Sequence, residues 1–199
     1  MDAETRRRLI NEHLEAIREL EAQPAAEDTA QGWPPKGYYL LWHVVIGMTL
    51  GGIGALVSLA ANMMGAPLFG EPALKLIRVY LTFPMGEQAL QAEQGAVLFI
   101  GCMLYLATGA LYGIGFHLIM SLLFHDASKM KKFVVATILG LALWVVNFYL
   151  ILSWLQPLML GGNWIVRMVP MWVGALTHLA FAWTMLVGEF WGKFEADGR

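Results

Sequence analysis

The sequence predicts an all-α integral membrane protein: four transmembrane helices in an up-and-down bundle, with an N-terminal amphipathic helix and a short interfacial helix. Three observations predict it. Charged side chains make up 14% of the 199 residues and hydrophobic ones 58%, with a mean hydropathy of +0.57; a soluble domain carries roughly 25% charged and 45–50% apolar residues. The apolar residues gather into four runs, at about 38–64, 93–124, 133–158 and 168–191, each long enough for the roughly 20 residues that cross a bilayer core. Charge collects outside those runs, with Asp2, Glu4, Glu12, Glu15, Glu19, Glu21, Glu27 and Asp28 all preceding the first.

Residues 1–37 form the first region, an amphipathic helix and a linker. Leu9, Ile10, His13, Leu14, Ile17 and Leu20 follow helical spacing, and Arg6, Arg7, Arg8, Glu12, Glu15 and Glu19 fill the other face. Such a helix either rests on the membrane surface or docks on a partner subunit. Pro24, Gly32, Pro34, Pro35 and Gly37 then prevent the helix from continuing. These opening residues are polar and lack an apolar signal core, so no secretory signal peptide is expected.

Residues 38–191 form the transmembrane domain, and 192–199 a short charged tail. Trp33, Tyr38, Tyr39 and Trp42 flank the start of the first span, as an interfacial aromatic belt does. Pro67 and Pro72 end it. Ala73 to Phe83 is apolar except for Lys75, Arg78 and Thr82, and reads as a short helix in the interface with its cations reaching head groups. The polar stretch His125–Lys132 turns the chain into the third span, with His125 and Asp126 placed to start or cap it. Gly161, Gly162 and Asn163 turn it into the fourth. Ten Lys and Arg residues fall on the side holding the N-terminal region, the 125–132 turn and the tail; Lys75, Arg78 and Arg167 fall on the other. The positive-inside rule therefore places both termini in the cytoplasm, and the expected location is a bacterial inner membrane.

Ionisable residues within the spans are the candidates for chemistry. His43, Gly47 and Gly51 recur every fourth residue in the first span, and Gly109, Gly113 and His117 do so in the second. On helices each set forms one narrow stripe. The two helices run in opposite directions, so both histidines fall roughly 8–11 Å below the cytoplasmic interface. Matched imidazoles flanked by glycine suit a haem b: two neutral ring nitrogens ligate the iron, and the glycines leave room for the plate. The competing reading is that glycine every fourth residue lets two helices touch backbone to backbone, leaving no room for a plate. His178, near the middle of the fourth span, is a weaker third candidate, with Gly174 and Ala182 on its stripe. Asn62 and Asn147 read as interhelical hydrogen-bond partners, and Glu93 and Glu189 as solvated helix-end residues. Cys102, the single cysteine, reads as a small buried hydrophobe.

The chain has no phosphate-binding glycine loop, nucleophile elbow, HExxH or CxxC motif. It has no basic stripe for nucleic acid at a net charge of −2. The expected function is that of a non-catalytic integral subunit of a larger membrane complex, a respiratory or photosynthetic electron-transfer assembly. Its partners would be lipids and other integral subunits. The alternative is a cytochrome b-like subunit, part of a membrane oxidoreductase, binding haem b through His43 and His117 and exchanging electrons with quinone. Bound lipid or quinone is the remaining cofactor expectation.

Overall fold

The computed structural model describes residues 2–22, 37–93 and 95–191. The expected linker (apart from Gly37), Trp33, Lys36, the side chains of Ile17 and Leu20 and the tail lie outside the described residues. The described residues are helical with no strand, and four helices among them are long and apolar enough to cross a membrane. The chain divides into two units, Met1–Tyr38 and Tyr39–Arg199.

The first unit holds α1 (Ala3–Ala22). Its first turn leaves amide hydrogens without intrahelical acceptors, and the Asp2 Oδ1 takes one, from the Thr5 amide at 2.7 Å. That bond holds the Asp2 carboxyl below its ordinary range. Leu9, Ile10 and Leu14 are exposed.

The second unit contains α2 (Tyr38–Gly65), α3 (Lys75–Met85), α4 (Gly95–Leu123), α5 (Lys129–Val145), α6 (Ser153–Leu160), α7 (Trp164–Met168) and α8 (Met171–Trp191). A π-helical segment, Val146–Leu152, joins α5 to α6, so that Lys129–Leu160 is one long apolar run. α5 begins where Ser128 caps it, its Oγ accepting from the Lys131 amide at 3.3 Å. This corrects the expectation for His125 and Asp126: both are exposed, and the cap lies two residues beyond them.

Glycine sets how closely these helices approach. A Cβ on Gly47 would lie 2.7 Å from the Ile114 Cα, one on Gly51 2.7 Å from the Gly113 Cα, and one on Gly113 2.5 Å from the Gly51 Cα. The order of these contacts makes α2 and α4 antiparallel. α8 runs antiparallel to α2, with Gly54 against Phe181 and Gly188 against Leu50. It is antiparallel to α5 as well, where Gly140 meets Ala182 and Trp183 Nε1 donates to Thr137 Oγ1 at 3.0 Å. Leu50, Ala55, Phe116, Met120, Ala136, Phe181 and Met185 fill the space between the four.

α3 is packed into the protein. Ile77, Val79 and Leu81 are at most 1% exposed, and Ile77 and Leu81 sit over Gly101 of α4. Its two cations also have partners in the protein. Lys75 Nζ pairs with Glu71 at 2.7 Å and Arg78 Nε donates to the Ala92 carbonyl at 3.0 Å. Behind α3, the fully buried Gln156 donates to Thr82 Oγ1 at 2.9 Å and accepts from the Ile165 amide at 3.1 Å. One side chain thereby ties α3, α6 and α7 together, and in an apolar setting each of those groups would be costly unpaired.

The glycine contacts make an internally controlled prediction. Gly51→Ala forces a methyl group into the α4 backbone and should destabilise by about 2 kcal/mol, as overpacking does. Gly52→Ala, facing open space, should be neutral or slightly stabilising. Reversible unfolding of both variants in detergent measures the difference, and equal effects would contradict the seam.

Candidate functional site

The structure brings His43 and His117 together. His43 Nδ1 and His117 Nε2 are 3.1 Å apart, with ring centroids at 5.2 Å and planes inclined by 41°. His117 is fully buried, and its Nδ1 is hydrogen-bonded to the Glu189 carboxylate from α8. With Glu189 ionised and both rings neutral, the polarity of this line is fixed. His117 Nδ1–H donates to the carboxylate, Nε2 accepts, and His43 Nδ1–H donates to it. Ser121, one turn on from His117, brings its Oγ to 3.3 Å from Nδ1.

These residues do not fit a haem held between α2 and α4. The stripes expected to flank a plate, Gly47 and Gly51 against Gly109 and Gly113, contact each other instead. Two ring nitrogens sharing a hydrogen at 3.1 Å leave no space for an iron and its macrocycle. The same small residues serve either purpose, and here they serve helix contact. Among the described residues, no group of three or more His, Cys, Asp or Glu side chains is placed to hold a metal ion.

His178 stands apart from that pair and belongs to a second constellation, beside a partly open cavity of about 380 Å³ lined by α2, α3, α4, α5, the π-helical segment, α7 and α8. The hydrogen bonds around it determine one another. The His178 Nδ1 lies 2.8 Å from the Gly174 carbonyl, which can only accept, so Nδ1 carries the proton of the neutral ring. Nε2 is then an acceptor, and the Asn147 Nδ2 donates to it at 3.1 Å. The Asn147 Oδ1 faces the other way and accepts from the Tyr112 hydroxyl at 2.6 Å. Asn147 sits in the π-helical segment. Such segments insert an extra residue into a helical turn and recur at functional sites.

A third network crosses the same wall. Ser58 Oγ donates to the Thr177 carbonyl at 3.0 Å, so the Tyr105 hydroxyl, 3.0 Å from Ser58, donates to it. Thr108 Oγ1 donates to the Leu104 carbonyl at 2.9 Å, so Tyr80 donates to Thr108 at 2.5 Å. Thr177 Oγ1 donates to the Val173 carbonyl at 2.7 Å and accepts from Asn62 Nδ2 at 2.9 Å.

Glu189 is the member of the histidine line that sequence reasoning placed in solvent. Its position near the end of the fourth span suggested solvation, yet the carboxylate is only 12% exposed. The available signal was depth, since a lone acid two residues before Trp191 lies level with the two histidines. Tyr105, Thr108 and Tyr112 were also unremarked, although their spacing places them on one face of α4. Glu93 is exposed and Cys102 half-buried.

Removing the donor to a buried carboxylate leaves that carboxylate unsatisfied, at about 3 kcal/mol. His117→Ala should therefore lower stability by about that much, and Glu189→Ala added to it should cost far less than it does alone. A double-mutant cycle on unfolding measures the coupling; strict additivity would contradict the pairing. No protein-family model matches the chain, and no curated protein or solved structure matches it.

Proposed function

We propose that this chain is a non-catalytic integral subunit of a larger membrane assembly of the electron-transfer kind, respiratory or photosynthetic. In this reading it works as an up-and-down four-helix bundle in a bacterial inner membrane, with both termini cytoplasmic. The observation that carries the reading is how the polar groups within the spans are used. Glu189, His117 and His43 bond in a line, and Tyr112, Asn147 and His178 bond in another. Groups occupied in this way hold helices together.

The outer surface supports a partner-bearing role. Only 22–33% of each most apolar window is buried within the chain, and large side chains such as Phe99, Leu111, Leu122 and Trp172 are exposed. Lipid and the helices of neighbouring subunits are the surroundings that suit this surface. α1, with Leu9, Ile10 and Leu14 exposed, is suited to lie on the membrane surface or against a partner. The assignment to electron transfer rests on form, since membrane oxidoreductases use four-helix anchors, and it is an analogy of fold.

Purification from native membranes in mild detergent tests the proposal. Redox subunits should co-purify, while the chain alone should show no absorbance above about 400 nm, the region in which haem iron centres absorb. A stoichiometric dithionite-reducible spectrum from the isolated chain would overturn it, as would co-purification with transport subunits alone. Protease added outside intact cells should spare both termini; cleavage of an N-terminal tag would reverse the orientation.

A further inference from the structure

We propose that the intramembrane cavity is a binding site for a small apolar ring compound that presents a hydroxyl hydrogen, a hydroquinone or a comparable membrane alcohol, and that it discriminates against the oxidised, carbonyl-bearing form. The inference goes beyond the subunit reading and needs only the purified chain.

At about 380 Å³ the cavity falls within the range of pockets that enclose small ligands, which are mostly apolar with a few placed polar groups. Leu76, Val79, Phe83, Leu143, Phe148 and Phe181 supply apolar lining. The aromatic rings suit a flat ligand, and Tyr80 and Tyr105 already stand edge to face with centroids 5.5 Å apart.

The direction of the hydrogen bonds decides the ligand's polarity. Six hydroxyl side chains line the cavity: Ser58, Tyr80, Tyr105, Thr108, Tyr112 and Thr177. Each has one hydrogen, and each hydrogen is already engaged. Ser58, Thr108 and Thr177 donate to backbone carbonyls, Tyr105 and Tyr80 donate to Ser58 and Thr108, and Tyr112 donates to Asn147. The phenol oxygens retain lone pairs and have no hydrogen to give. His178 likewise has its single ring hydrogen on the Gly174 carbonyl. The wall therefore accepts, apart from the second amide hydrogen of Asn147. The indole of Trp144 is buried without a hydrogen-bond partner, but Trp144 is not a lining residue. A hydroxyl on the ligand satisfies this wall by donating to a phenol oxygen, and can accept from Asn147. A quinone's carbonyls accept only: one can take the Asn147 hydrogen, and the other would meet phenol oxygens that repel it.

The test uses the full chain in detergent and four probes with the same decyl tail, so that partition into the micelle is matched. They are a benzohydroquinone, its benzoquinone, its dimethyl ether and a cyclohexanol. Binding is read by intrinsic tryptophan fluorescence and by calorimetry. The hydroquinone should bind saturably and at least about tenfold more tightly than the quinone or the ether, the difference one hydrogen bond makes. Cyclohexanol binding as tightly as the hydroquinone would identify the source as a membrane alcohol; cyclohexanol binding more weakly would identify a reduced quinone. Thr108→Val releases the Tyr80 hydrogen, so the quinone should gain affinity and the preference should shrink several-fold, which a loss of packing alone would not produce. Equal or tighter binding of the quinone or the ether by the wild-type chain would overturn the proposal, as would failure of the hydroquinone to saturate.

Discussion

The backbone contact between α2 and α4 is the constraint on which the rest of the second unit depends. Gly47 and Gly51 meet Gly113 and Ile114 closely enough that a single methyl group has no place between them. In lipid there is little hydrophobic force to drive two helices together, and association relies on close packing and on hydrogen bonds between them. The glycines permit the first, and the approach they allow brings about the second. His43 and His117 reach bonding distance at one end of the seam, and Ala55 and Gly109 help line the cavity toward the other.

From that seam the polar chemistry divides into two parts. At the histidine end lies a line of three ionisable groups, with its carboxylate drawn from α8. A carboxylate and an imidazole buried together are tolerable because each satisfies the other; either alone would be costly. Beside the cavity lies a network of neutral groups in which the carbonyls of Leu104, Val173, Gly174 and Thr177 fix the direction of every bond. Carbonyls can only accept, so each one at the foot of a chain orients the hydroxyls, the amide and the imidazole above it. The result is a wall whose polarity is set by the backbone.

The four spans are legible in the sequence because length and hydropathy determine them almost alone. The depth match of His43 and His117 is legible too, since it follows from counting along two antiparallel helices. What the glycine stripes do is not legible. A helix making room for a plate and a helix making room for another helix use the same residues at the same spacing, and only the packed structure separates them. The partners of the short α3 are not legible either: Lys75 pairs with Glu71 and Arg78 donates to the Ala92 carbonyl, contacts that the apolar pattern does not express. The cavity is illegible for a different reason. It depends on the π-helical segment that carries Asn147 and on tyrosines from two helices, a conjunction that no single run of sequence expresses.

The close approach of α2 and α4 makes the two imidazoles bond to each other. Solid-state magnetic resonance on protein carrying heavy-nitrogen histidine measures this directly. A nitrogen–nitrogen correlation is expected between the His43 and His117 rings, consistent with their 3.1 Å separation, and it should disappear in His43→Gln. Wild-type rings with no such correlation would contradict the bond.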